Sequence, residues 1–554
     1  MGGVAPRLRV RVEAWITIDP DPATRTELAG LLAAGDVGAL EERFAGRLAF
    51  GTAGLRGAMG GGPNRMNRLV VRQSAAGIAR HLLAEVPGAA EHGVVVACDA
   101  RHRSRDFAAD CAEILSAHGI RVVLAEQPVP TPVGVFAVRH LGCAAGIVVT
   151  ASHNPPADNG LKLYMGDGAQ IVPPVDGMVA TAIDAAVADG ILMGGDRDPG
   201  SVEAMRSTVV AAYRERTLSR VPPPPVPITI ATTAMHGVGG ALLVDILAAA
   251  GHGDVHPVLS QQAPDPDFPT VALPNPEEPG VTGLLAARME EVGAVVGLAL
   301  DPDADRLAVL TPIGGGAARQ LTGDDVGALL GDWLLAEVTS GPGRLVVSSV
   351  VSSSLLARIA EFHGARHAET LTGFKWLSRP AMEDPSSVQV LAYEEAIGYA
   401  IGPEVRDKDG ISAALAVASM ASAARAAGRT LLDDLDALHR RHGAHVTDNF
   451  SLRDDAPGGA ARRAALVEAL IAAPPGHLGP LATRAIRALA ADVLRIDLEG
   501  DVRVIVRPSG TEPKLKCYCE AVEPVPDGDV AAARERARGL LADVRRDLTE
   551  LLLP

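Results

Sequence analysis

The sequence has 554 residues, too many for one hydrophobic core, so several domains of ~100–200 residues are expected. A formal charge of −16 argues against a general nucleic-acid binder, and the lack of any run of ~18 uncharged apolar residues argues against a membrane-spanning chain. Cys98, Cys111, Cys143, Cys517 and Cys519 are too scattered for a disulfide framework, and the N-terminus lacks the apolar core of a signal peptide, which together predict a cytoplasmic protein.

In chain order, the first chemically informative stretch is "FGTAGLRG" (50–57). Its glycines let backbone N–H groups approach an anion, and Arg56 can fork onto phosphate oxygens; a loop with a structural arginine reads the same way. Residues 94–126 form a strand–helix–strand pattern, with the helix starting at Ser104 and stopped by Gly119. The apolar run "AAGIVV" then ends in "TASHNPP" (150–156). Asn-Pro followed by Pro is enough to end a strand. It does not need a Ser-His pair. Ser152 is therefore read as a nucleophile that carries a phosphoryl group, and the absence of a GxSxG elbow disfavours a hydrolase triad. Lys162, in "DNGLKLY" (158–164), lies ten residues further on and can return to Ser152 across a loop.

The proline run "VPPPPVP" (221–227) is a stiff linker ahead of a second strand–helix unit (226–251) with its next strand at 294–300. His236, in "MHGVGG" (235–240), reads as a turn residue outside the site. "DPDADR" (301–306) sets Asp301, Asp303 and Asp305 at alternate positions after a buried strand. Such carboxylates repel one another unless a cation binds them, and hard oxygen ligands suit Mg²⁺; a solvated acidic turn is the bland alternative. An EF-hand is excluded because Arg306 and Pro312 stand where its Gly and Glu belong. A glycine run (311–319) is expected to separate this unit from a third (344–369).

"LTGFKW" (371–376) and "YEEAIGY" (393–399) suit polyol recognition: Lys375 offers a cation, and Glu394 and Glu395 accept from sugar hydroxyls. Beyond residue 445 the pattern changes to antiparallel strands around Glu499-Gly500 and a closing helix near 528–552. There "RPSGTEPKLK" (507–516) gathers Arg507, Ser509, Gly510 and Thr511, a cluster of donors for phosphate oxygens. The expected domains are 1–220, 226–312, 313–445 and 446–554. Of 51 basic residues only Lys162, Lys375, Lys408, Lys514 and Lys516 are lysines, and all five fall beside these motifs, which makes them candidate site residues.

Taken together, "GTAGLRG", "TASHNPP", "DPDADR", "GFKW", "EEAIGY" and "RPSGTEPK" resemble, in the same order, the α-D-phosphohexomutase superfamily. "PDPDFPTVALPNPEEPG" (264–280) and "VRDKDG" (405–410) resemble its phosphopentomutase and bacterial phosphoglucomutase branch. The resemblance covers nearly the whole chain. It implies an α/β fold of three similar mixed domains and a C-terminal α+β domain around a central cleft. It also implies an isomerase that moves a phosphoryl group between C1 and the terminal carbon of an aldose phosphate. Ser152 would be the phosphoserine, and Asp301, Asp303 and Asp305 would hold Mg²⁺ with the Ser152 phosphate. Arg56, His153 and Lys162 would surround the nucleophile, with Lys162 or His153 moving the hydroxyl proton. Arg306, Lys375, Glu394 and Glu395 would hold the sugar phosphate, and Arg507, Ser509, Gly510 and Thr511 the distal phosphate. A sugar bisphosphate such as glucose 1,6-bisphosphate would be the activator, and small sugar phosphates the partners, with no nucleic acid or membrane. Many hexomutases carry a serine after the paired glutamates; this chain has Ala396, which weakens the preference for a hexose, so that a pentose loses less. Glucose or (deoxy)ribose phosphate is the expected substrate, with phosphomannomutase specificity as the alternative. A sugar-phosphate phosphatase or phosphotransferase would use the same serine and metal.

Overall fold

A computed structural model describes residues 4–51, 54–190, 198–453, 459–490, 492–508 and 514–552. Ser509, Gly510 and Thr511 lie outside the described residues, as do Thr52 and Ala53 of the first glycine-rich loop. Among the described residues, four sheets follow one another.

The first sheet runs Leu55–Ala58, Asp158–Met165, Ala145–Val149, Val94–Cys98, Val122–Leu124, Val202–Ala204. Ala145–Val149 and Val94–Cys98 are buried at every position, because helices cover both faces of their parallel pairing. The helix between the first two parallel strands spans Ser104–Ala117, and Gly119 turns the chain at φ 81°. The second sheet orders Ala317–Gln320, Leu307–Gly314, Val296–Leu300, Thr229–Thr233 and Asp254–Pro257; the third orders Arg366–Thr370, Arg344–Ser349, Val388–Glu394 and Gly398–Ile401.

One device recurs in all three. A buried parallel strand runs out, turns through a short loop and returns antiparallel beside itself: Ala145–Val149 to Asp158–Met165, Val296–Leu300 to Leu307–Gly314, Val388–Glu394 to Gly398–Ile401. The three loops so formed carry "TASHNPP", "DPDADR" and "EAI". Each contains a non-glycine residue in the left-handed region: Ser152 at φ 51°, Ala304 at φ 60° and Ile397 at φ 51°.

The glycine run does not separate two units. Gly314, Gly315 and Gly316 all have positive φ and turn a hairpin that returns Ala317–Gln320 onto the second sheet. Glycine-rich composition serves a linker and a tight turn equally well, and only the strand that follows tells them apart.

The C-terminal sheet is antiparallel throughout, ordered Ala444–Arg453, Lys514–Glu523, Val502–Pro508, Val493–Leu498, Leu481–Ala490, His477–Leu478. Gly500 and Asp501, both at positive φ, turn the expected hairpin, and the closing helix spans Val530–Leu552. Three N-terminal helices, Pro6–Ile18, Pro22–Ala34 and Val37–Phe44, pack beneath the first sheet, with Trp15 edge-on to Phe44. A continuous core runs from Val95 and Ala97 on one face of the first sheet through the second and third sheets to Leu438. That shared core holds three of the four units in fixed relation. Among the described residues, no single helix is long and apolar enough to cross a membrane.

Candidate active site

Ser152 ends its strand buried, with its backbone N–H donating to Thr150 Oγ1 at 2.8 Å. Its hydroxyl donates to Asp301 Oδ2 at 2.7 Å and lies 3.2 Å from His153 Nδ1. Two loops from different sheets therefore meet at one oxygen. Arg101 fixes the serine loop from behind: its guanidinium donates to the carbonyls of Ser152, Asn154, Pro155 and Asp158, while Asp99 stands 3.5 Å from its Nε. Arg56 reaches the same loop through Asn154 Oδ1 at 3.2 Å.

Asp301, Asp303 and Asp305 are buried, with one carboxylate oxygen of each within 4.8 Å of the others. Alternate positions in the loop turn all three inwards. Asp301 also accepts from the Arg306 backbone N–H at 3.0 Å, and Asp303 accepts from Thr131 Oγ1 at 2.8 Å. Lys162, brought alongside Val148 by the antiparallel return, donates to Asp303 Oδ2 at 3.0 Å and Asp305 Oδ2 at 2.8 Å. Lys408, from the third unit, lies 3.3 Å from Asp305 Oδ2 and 3.2 Å from Asp407.

Charge and burial set the protonation here. Burial and the neighbouring Asp303 and Asp305 push Asp301 well above the ordinary carboxylate range. Burial also opposes ionisation of Asp303, but Lys162 overrides it and holds Asp303 low. For Lys162 and Lys408 burial disfavours the ammonium, and the carboxylates around them reverse the sign and raise both. His153 is driven well below its ordinary value by burial and by Arg306 and Arg56. Oδ1 of Asp303 and Oδ1 of Asp305 are buried and, among the described residues, have no hydrogen-bond partner. Buried carboxylate oxygens left unpaired cost free energy unless a cation takes them. The donor set fits a hard divalent ion.

Beside the triad Arg306 donates to Glu277 Oε2 at 3.0 Å. Glu394 is buried, and its carboxyl is raised by burial against the pull of Lys408 and Arg306. Glu395 accepts from Ser349 Oγ at 3.2 Å; burial raises it too, while Arg507 and Lys516 of the C-terminal sheet pull the other way. Arg507 donates to the Tyr518 hydroxyl at 3.0 Å. Lys375 sits apart from this group, half-buried beside Trp376, with its amine lowered by burial against the attraction of Asp176.

The structure thus brings Ser152, His153, Lys162, Arg56, the three aspartates and Arg306 to one point, with Glu394, Glu395 and Arg507 beyond it. Sequence reading did not find Arg101 or Thr131, since nothing in their local sequence marks them, and it assigned no role to Glu277 although Glu277 lies in the 264–280 stretch that carries part of the resemblance. Lys408 is marked by the scarcity of lysine and by its place in "VRDKDG", without a role attached to it.

Fold and site together define a phospho-sugar mutase, an isomerase working by intramolecular phosphotransfer. Residues 47–189, 212–314 and 322–440 match the phosphoglucomutase/phosphomannomutase alpha/beta/alpha domains I, II and III, and residues 463–537 match the C-terminal domain of that family. The chain belongs to the phosphoglucomutase/phosphomannomutase family, within the α-D-phosphohexomutase superfamily. It is 35% identical to a probable phosphoribomutase of Schizosaccharomyces pombe, over 93% of each chain. It is 39% identical to a probable phosphomannomutase of Haemophilus influenzae, over 82% of this chain and 93% of the other. A solved phosphoglucomutase/phosphomannomutase family protein of Burkholderia thailandensis shares the fold at 22% identity and a TM-score of 0.69, over 90% of this chain and 96% of that one.

Proposed function

We propose that the chain interconverts aldose 1-phosphates with the corresponding terminal phosphates (C6 or C5), with Ser152 as the phosphate carrier. The observation that carries this reading is the Ser152 hydroxyl donating to Asp301 at 2.7 Å beside two carboxylate oxygens that have no hydrogen-bond partner among the described residues. Asp301, Asp303 and Asp305 would hold Mg²⁺ together with the Ser152 phosphate, and a bound ion there supplies neutralising charge to the transferring group.

In the forward half-reaction the free hydroxyl of the sugar monophosphate attacks the phosphorus on Ser152. The P–Oγ bond breaks, a P–O bond to the sugar forms, and the hydroxyl proton passes to a base. The product is a bisphosphate such as glucose 1,6-bisphosphate, which would also prime the enzyme. It turns over in the cleft and returns its other phosphate to Ser152. His153, 3.2 Å from the serine oxygen and kept neutral by burial, would take the hydroxyl proton, and Lys162 would serve as the alternative once Asp303 and Asp305 are drawn from its ammonium to Mg²⁺. Arg56 and Arg306, both within reach of the charge of Asp305, would stand around the transferring group. Arg507, with Ser509, Gly510 and Thr511, would grip the phosphate that is not reacting, and Glu394, Glu395 and Lys375 would read the hydroxyls between. Small sugar phosphates are then the partners, with no role for nucleic acid or membrane. Five free, buried cysteines support a reducing, cytoplasmic setting.

Relatives named for ribose and for mannose leave the sugar to the site itself. With Ala396 the loop lacks a hydroxyl, and each hydroxyl bonded to a charged group contributes only ~1.5–3 kcal/mol. Glucose and (deoxy)ribose phosphates are therefore expected ahead of mannose. A kcat/KM panel over glucose, mannose, ribose and deoxyribose 1-phosphates, with phosphate release followed in parallel, tests this. Isomerised product without released phosphate supports a mutase; stoichiometric release identifies a phosphatase. A preference for mannose moves the assignment to phosphomannomutase.

A further inference from the structure

The two central strands of the C-terminal sheet, Val502–Pro508 and Lys514–Glu523, present one face to their own helix and the other to the third unit. Val502, Val504, Val506, Leu515, Cys517, Cys519 and Ala521 fill the C-terminal core. The opposite face steps through three cross-strand pairs: Arg503 with Glu520, Ile505 with Tyr518, Arg507 with Lys516. The pairs differ in chemistry. Arg507 and Lys516 lie near enough to Glu395 for their charges to oppose the rise that burial imposes on it. Ile505 and Tyr518 pack on Val350 and Val351 of the third unit. Arg503 and Glu520, 2.7 Å apart and buried, lock onto the serine run that follows Arg344–Ser349.

That lock is dense. Glu520 accepts from Ser353 Oγ at 2.5 Å and from the Ser354 N–H at 2.9 Å, while Arg503 donates to the carbonyl of Ser352. The same Ser352 uses its hydroxyl to accept from the Glu395 backbone N–H at 3.1 Å. Its neighbour Ser349 donates to the Glu395 carboxylate. A paired strand is a stiff rod, and two pair-steps along it span about 13 Å. One end of the rod is pinned to the residues that hold the glutamate loop; the other end carries the cations assigned to the distal phosphate.

We infer that Arg503 and Glu520 are positioning residues that set the spacing between the Glu394–Glu395 loop and the Arg507–Lys516 pair, and through it which length of sugar phosphate, pentose or hexose, spans the two. This rests on the mutase reading above. Neither residue touches substrate; both act through Ser352 and the strands.

The test compares kcat/KM for ribose 1-phosphate and glucose 1-phosphate in wild type, Glu520→Gln, Arg503→Lys and Ser352→Ala. Ser352→Ala leaves the ion pair intact and removes the hydroxyl that holds the Glu395 N–H and pairs with Ser349 Oγ at 2.8 Å, so it serves should the charge variants not fold. The ratio of the two sugars is expected to shift about tenfold, carried by KM, while the extent of Ser152 phosphorylation by glucose 1,6-bisphosphate stays at the wild-type level. Glu520→Gln and Ser352→Ala should combine non-additively, as residues on one path do. An equal fall for both sugars, or additive effects, overturns the inference. A wild type that shows no mutase activity overturns the mutase reading instead.

Discussion

Ser152 holds its left-handed backbone at φ 51° although it carries a side chain, and so do Ala304 and Ile397 in the two loops that face it. Outside glycine this conformation costs roughly 1–2 kcal/mol per residue, and such strain concentrates where a side chain must be aimed. At Ser152 the turn delivers Oγ to Asp301 and hands the loop carbonyls to Arg101. The strain and the chemistry separate in two variants. Ser152→Ala and Ser152→Gly should both lose phosphate incorporation, read by intact mass after incubation with a sugar bisphosphate, and both should lose turnover by at least ~10³-fold. The glycine variant should nonetheless unfold about 1 kcal/mol later than the alanine variant in urea, because it alone relieves the strain. Phosphate mapped to another residue, or an active alanine variant, would sink the role given to Ser152.

At the level of the element, the strand–loop–strand device explains why so much of the site could be read from sequence. Each loop presents its chemistry within six or seven consecutive residues, so "TASHNPP" and "DPDADR" announce themselves without any partner. Contacts between elements leave no such trace. Thr131 meets Asp303 across 172 positions and Ser353 meets Glu520 across 167, and neither neighbourhood hints at the other. The helix Gly323–Trp333 shows what such a hidden contact does. Asp324 in its first turn is buried and accepts from the Ser353 N–H at 2.7 Å and the Tyr393 hydroxyl at 3.1 Å. Burial, with the charges of Glu395 and Glu520, lifts it from 3.8 to about 7, so the folded state keeps a proton that the unfolded chain releases. Its contribution is therefore fully present below about pH 4 and is lost as pH rises towards 7. Asp324→Asn keeps an acceptor for Ser353 and escapes that loss. Relative to wild type it should gain on the order of 2–4 kcal/mol between pH 4 and pH 8 in urea unfolding. A difference that ignores pH would contradict the assignment.

Across the whole molecule, the acidic triad comes from one loop while its cations come from others, Lys162 from the first sheet and Lys408 from the third unit. Filling the triad with a divalent ion therefore acts on three units at once. Mg²⁺ should raise the Tm of wild type, equivalent to about 2.7 kcal/mol at a hundredfold excess over Kd, with reversal by chelator and no shift in Asp303→Asn. A Tm indifferent to Mg²⁺ would remove the metal role. The overall plan of three mixed α/β units and an antiparallel fourth followed from alternating apolar runs and from the resemblance. The hairpin at Gly314–Gly316 did not, because a turn and a linker share a composition. One last property follows from the scarcity of lysine. Lys162 and Lys408 stand among the site carboxylates, Lys514 and Lys516 begin the strand whose cations act on Glu395, and Lys375 lies in the short helix Phe374–Leu377. Apart from the chain's own α-amine, a reagent that acylates amines finds almost nothing on the outer surface to consume it. Acyl labelling should therefore fall first on Lys375 and Lys516, whose amines burial lowers, while Lys162 and Lys408 stay protected for as long as their carboxylate partners hold them as ammonium.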